Sequence, residues 1–211
     1  LSRGALMEYY SVFGMYHRLR GELEKSYGYR RQLAGLIEQS AHLICEDELR
    51  YVWILRGLLI LQTELKRYSE VVGTLKKLRA VKTRNMFIQQ EIFMVVYLIE
   101  LSVYYETGAF SRALKLVPEV EEGLRKYGQI LYPGDMLSMN YVVAYVCFGA
   151  GEYRKALPWL NRILMETDIH RRQDIQSVAR ILNLIIHYEL GNDRLLDYAS
   201  VSAYRFFYKR G

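Results

Sequence analysis

Two groups of side chains have the types and spacing to do chemistry. Tyr141, Tyr145 and Phe148 recur at i, i+4 and i+7, which on a helix sets three rings along one side. Such a row could touch a ligand, or could pack against neighbouring helices, as aromatic residues at helical spacing usually do. The second group is cationic. From residue 66 to residue 84 there are seven Lys and Arg side chains (Lys66, Arg67, Lys76, Lys77, Arg79, Lys82 and Arg84) against Glu70 alone. That excess equals the net charge of +6 of the whole chain, so the remainder is balanced. Lys76, Arg79 and Lys82 share a helical face, with Lys77 beside them. A solvated outer face near a helix C-terminus would look like this. So would a docking stripe for an acidic protein segment or for nucleic acid, although no flanking aromatic residues or Gly-rich loops point to nucleic acid.

Covalent and metal chemistry finds no equivalent foothold. The sequence has no G-x-S-x-G elbow, no phosphate loop ending in Gly-Lys-Ser or Gly-Lys-Thr, and no H-E-x-x-H. His17, His42, His170 and His187 are scattered. His187, between Ile186 and Tyr188, reads as a packing residue with its polar atoms satisfied, and Asp168 with His170 is a loop pair rather than a dyad. Glu46, Asp47 and Glu48 read as acids at the positive end of a helix dipole rather than as a metal cluster. Cys45 and Cys147 have no disulfide or zinc spacing and read as buried free thiols. The expectation is a protein that is not an enzyme, with no cofactor and no metal.

These candidates must be positioned by helices. Only Pro118, Pro133 and Pro158 interrupt the chain, which suits an all-helical fold. Helices are expected at about 4–24, 27–44, 46–65, 69–82, 85–107, 111–127, 135–150, 152–167, 172–190 and 193–209. Ser111 and Asp135 are the expected N-caps of two of them. The segment around Pro133 and Gly134 is the longest expected break. The apolar runs near residues 51–61 and 92–105 contain Arg56 and Glu100, and fall short of the roughly 20 residues that span a bilayer, so they are expected to be buried helices.

The stretch from Ala144 to Leu164 organises the rest. Gly151 sits at a tight turn, where a residue without Cβ takes positive φ. Tyr153 follows, and Ala156, Leu157, Leu160 and Leu164 recur at helical spacing. Small Ala156 facing small Ala144 lets two helices approach closely. The pattern recurs with Gly108, Phe110, Ala113, Leu114 and Val117, a step of 43 residues. Weaker copies start at Tyr68 and at Gly191, and the first is placed at Tyr27, matching Tyr68 at a step of 41.

A Gly-x-aromatic-x-x-Ala-Leu signature after a helix that carries a small residue resembles the tetratricopeptide repeat. The resemblance is specific from about residue 95 to 165 and extends in outline over nearly the whole chain. Units of about 42 residues exceed the usual 34 or so, Leu101 stands where a small residue is usual, and the closing proline is missing. The resemblance implies a single domain over residues 1–211, a right-handed α-solenoid of about five antiparallel helix pairs. It also implies that the first helix of each pair lines a concave groove. On the helix at 85–107 the matching positions are Val95, Leu98, Ser102 and Tyr105, which join Tyr141, Tyr145 and Phe148 as candidate ligand contacts.

The function this implies is a protein-interaction scaffold that takes a peptide or helical segment of a partner in a groove. The alternative is a helical sensor module of a nucleic-acid-linked transcription regulator that uses the basic stripe. The unpatterned cysteines favour a reducing, cytoplasmic setting, and membrane insertion is not expected. The chain begins at Leu1 rather than Met, which reads as a piece of a longer protein. The last helix is expected to pack through the side shared by Leu195, Ala199, Ser202 and Phe206, with Leu196, Ala203 and Phe207 beside them. Val201, Tyr204 and Tyr208 would then be open to a following helix, to homodimerisation or to water.

Overall fold

The computed structural model describes residues 2–39, 41–168 and 170–208, with the side chains of Ala41, Leu43 and Cys45 outside that description. The reading of Cys45 as a buried thiol and the last helix's end at Lys209 therefore lie outside the described residues. Among them every regular element is a helix and there is no strand. In chain order the helices are α1 (Arg3–Leu19), α2 (Leu23–Glu38), α3 (Ala41–Glu46), α4 (Glu48–Glu64), α5 (Tyr68–Arg79), α6 (Met86–Glu106), α7 (Phe110–Leu114), α8 (Val117–Tyr127), α9 (Pro133–Gly149), α10 (Tyr153–Leu164), α11 (Gln173–Glu189) and α12 (Asp193–Tyr208). They group into two compact units, residues 1–99 and 100–211.

One turn geometry recurs along the chain. Gly21, Lys66, Gly108, Gly151 and Gly191 have φ of 73°, 56°, 72°, 75° and 63°. In each case two amides fold back on the helix just ended. The Gly151 N–H donates to the carbonyl of Phe148 at 2.9 Å and the Glu152 N–H to that of Cys147 at 2.9 Å. Gly21 with Glu22, Lys66 with Arg67, Gly108 with Ala109 and Gly191 with Asn192 do the same. This is the Schellman closure, which satisfies carbonyls left over at a helix end and needs a left-handed residue to do so. Tyr27 stands six residues after the turn at Gly21 and Tyr68 two after the turn at Lys66, so the two tyrosines do not occupy equivalent positions.

In the first unit α1 packs on α2, α2 on α4, and α4 on α5. Leu33, Ile37, Leu55, Leu59 and Leu78 are fully buried there. Losing any one to alanine typically costs about 2–5 kcal/mol. In the second unit α9 packs on α10, α10 on α11, and α11 on both α9 and α12. Ala144 and Ala156 are both fully buried, as small residues at a close crossing should be.

Several local expectations are corrected. Ser111 is not a cap, because α7 starts one residue earlier behind Ala109. The expected helix at 111–127 breaks between Leu114 and Val117, and Pro118 occupies the first turn of α8, where a missing N–H costs least. Asp135 lies inside the first turn of α9, whose N-cap is Tyr132. Asp47, by contrast, does cap α4, accepting from the Arg50 N–H at 2.9 Å. Lys82 lies beyond the end of α5 at Arg79, so it shares no helix with Lys76. The apolar run of α6 continues into a helix of 21 residues, which by length and composition is long and apolar enough to cross a membrane, and 39% of its most apolar window is buried. On α12 Ala203 is buried and Leu196, Ala199 and Phe206 are half-buried, the last under the Arg180 guanidinium at 3.5 Å, whereas Leu195, Ser202 and Phe207 are exposed. Val201, Tyr204 and Tyr208 are exposed, and the rings of Tyr204 and Tyr208 stack at 5.7 Å.

Candidate functional site

The aromatic candidates come together in the second unit. Tyr141, Tyr145 and Phe148 are half-buried along α9. Ring centroids lie 5.9 Å apart between Tyr141 and Tyr145, and 6.4 Å apart between Tyr145 and Phe148. Tyr105, near the end of α6, joins Tyr145 at 5.3 Å, and Tyr153 joins Phe148 at 5.6 Å. These are the tilted contacts that aromatic quadrupoles favour. Burial pushes the Tyr141 phenol above its ordinary pKa, with Tyr145, Tyr105 and Asp174 adding to the effect. Burial followed by Glu106 and Tyr145 does the same to Tyr105. Both phenols therefore stay protonated donors in neutral solution.

The α6 candidates divide. Ser102 and Tyr105 are half-buried in the second unit, whereas Val95 is a core residue of the first unit, 5% exposed, and Leu98 is half-buried there. Position relative to the turn fixes helical phase, but exposure depends on what covers that phase.

One set of residues went unnoticed in the sequence. Val178, Ile181, Ile185 and Tyr188 on α11 are 40%, 48%, 41% and 72% exposed. They stand 13, 10, 6 and 3 residues before Gly191, the offsets at which Val95, Leu98, Ser102 and Tyr105 precede Gly108. Tyr141, Tyr145 and Phe148 stand 10, 6 and 3 before Gly151. Offset from the turn glycine would have found them. Because α11 packs on α9, and Asp174 on its first turn is felt by Tyr141, the second unit carries half-buried rings and exposed aliphatic side chains on neighbouring helices.

The basic stripe is partly neutralised. Lys77 donates to Glu38 of α2 at 2.7 Å, and Arg67 bonds Glu24 at 2.8 Å and Glu70 at 3.1 Å while lying 4.5 Å over the Tyr27 ring. Lys76, Arg79 and Lys82 are exposed. Lys77 and Lys82 border one hollow with Tyr51 and Glu48.

The histidines keep structural company. His17 bonds Glu22 at 2.7 Å and stacks on Tyr29 at 5.3 Å. His187 is buried and meets the Asn192 amide at 3.3 Å. The His170 backbone N–H donates to the Asp168 carboxylate at 3.0 Å, a loop closure. Among the described residues no three His, Cys, Asp or Glu side chains cluster as a metal site would.

In comparisons with known proteins, no family model, no curated protein and no solved structure matches the chain.

Proposed function

We propose that the chain is a tetratricopeptide-like α-solenoid that serves as a protein-interaction scaffold. Five turns of one geometry, 45, 42, 43 and 40 residues apart, support the repeat reading. The partner is an amphipathic protein segment whose apolar side chains seat on α9 and α11 of the second unit. The observation that carries this reading is the exposed row Val178, Ile181, Ile185 and Tyr188 beside the ring cluster of α9. Neighbouring exposed apolar side chains on a protein surface mark interaction sites, and a helix face with anchors at i, i+3 and i+7 matches helical or extended ligands.

Peptide display against the purified chain tests it. Selected peptides are expected to be apolar on one face and to bind with little dependence on salt. Their binding should disappear in an Ile181→Glu, Ile185→Glu double variant that keeps the helical fold, because both side chains are already nearly half exposed. Selection of acidic peptides or nucleic acid that bind through Lys76 and Lys82, and weaken steeply with salt, would replace this reading with the regulator module.

A further inference from the structure

We propose that the hollow framed by α8, α9 and α10 binds a small amphipathic carboxylate of the N-acyl amino acid type, with one carboxylate, one amide N–H and an apolar tail. The hollow measures about 680 Å³, within the range of roughly 300–1,000 Å³ typical of small-molecule sites. Leu124 of α8 and Met136 and Leu137 of α9 give it an apolar wall.

Two guanidinium groups border it, Arg125 of α8 and Arg162 of α10. Arg125 is exposed, and no described carboxylate holds it. Arg162 lies 4.3 Å over the Trp159 ring. Stacking occupies the face of a guanidinium and leaves its in-plane N–H donors free for a carboxylate fork. Of the acids at the rim, Glu166 is already engaged: it accepts from the Asp168 backbone N–H at 2.9 Å and from Arg171 at 3.0 Å. Glu121, exposed one turn before Arg125, leaves one carboxylate against two arginines.

The ligand's N–H is read from Asn140. This residue lines the hollow, is 2% exposed, and its Oδ1 is buried without a hydrogen-bond donor. An unmatched buried acceptor is costly, and an amide N–H beside a carboxylate would supply the donor next to the arginines. None of these residues belongs to the α9–α11 row, so this site and the scaffold reading stand or fall separately.

The chain contains two tryptophans, so Trp53→Phe leaves Trp159 as the sole reporter at the hollow. Titration with N-octanoylglycine should give a saturable change in Trp159 emission, and calorimetry should give the same affinity. The methyl ester should bind at least about tenfold more weakly, having lost the charge-assisted pair. Arg125→Gln, an exposed change that keeps the melting temperature, and Arg162→Gln should each weaken binding several-fold. Asn140→Leu should weaken N-octanoylglycine and leave decanoate, which has no N–H, unaffected. No binding at millimolar N-octanoylglycine, equal binding of acid and ester, or indifference to both arginine changes would overturn the proposal. Equal loss of both ligands in Asn140→Leu would overturn the role given to the amide.

Discussion

The ring of Phe110 occupies the place where a side chain at Gly149 would begin: a Cβ built there would overlap three atoms of the ring. The contact joins α7 to the last turn of α9. It explains why a residue with poor helix propensity closes α9, since any other side chain would evict the aromatic residue that follows the Gly108 turn.

Gly149→Ala should therefore destabilise the chain although alanine is the better helix former. Overpacking of this kind typically costs about 1–3 kcal/mol. In a Phe110→Ala background the same change should cost little or become favourable. Chemical denaturation of the four members of the cycle checks the coupling.

The recurring turns give a second contrast. Lys66 takes φ 56° where its four counterparts are glycine. A non-glycine residue in this region carries strain of about 1 kcal/mol or more. Lys66→Gly is expected to raise the denaturation midpoint, and Gly151→Ala to lower it.

Cys147 is 1% exposed, and burial pushes its thiol up to about 11. With Cys45→Ser in place, Cys147 should resist thiol reagents at pH 8 in the native state and react promptly in denaturant, because the thiolate is the reacting form. Fast native labelling would contradict the packing of α9.

Acid sensitivity should trace in part to Glu166. The Asp168 backbone N–H, followed by Arg171, holds its carboxyl below the ordinary value of 4.5. A lowered native pKa means that the unfolded chain binds protons first. The stabilisation is complete above about 4.5 and disappears as pH falls through the lower native value. Glu166→Gln should flatten that acid limb and leave the curve above pH 6 nearly parallel to the original.

The helices were legible wherever local rules decide them. α6, α10, α11 and α12 follow from periodicity, and the turns at Gly108, Gly151 and Gly191 from glycine at a helix end. Gly21 was missed because no aromatic residue follows it two positions later, and Lys66 because its side chain gives no sign of positive φ. The break between α7 and α8 was hidden by Ser111, which has the chemistry of a cap but lies inside the helix. Val95 shows the limit of offset reasoning, since it stands at the same offset from its turn as exposed Val178 and lies in a core. Asn140, Arg125 and Arg162 had no sequence signature at all. Three helices bring them to one hollow, and only packing reveals that the amide oxygen there lacks a donor.

The five Schellman turns also bear on how fast the chain acquires its structure. Each joins two helices adjacent in sequence, and four of the pairs they join, α1 with α2, α4 with α5, α9 with α10 and α11 with α12, are packed partners. The loops that must close before those contacts form are therefore very short. Topologies dominated by such local contacts fold in microseconds to milliseconds. A helix pair of this kind can assemble as soon as both of its helices have left the ribosome, so the order of synthesis can become the order of folding.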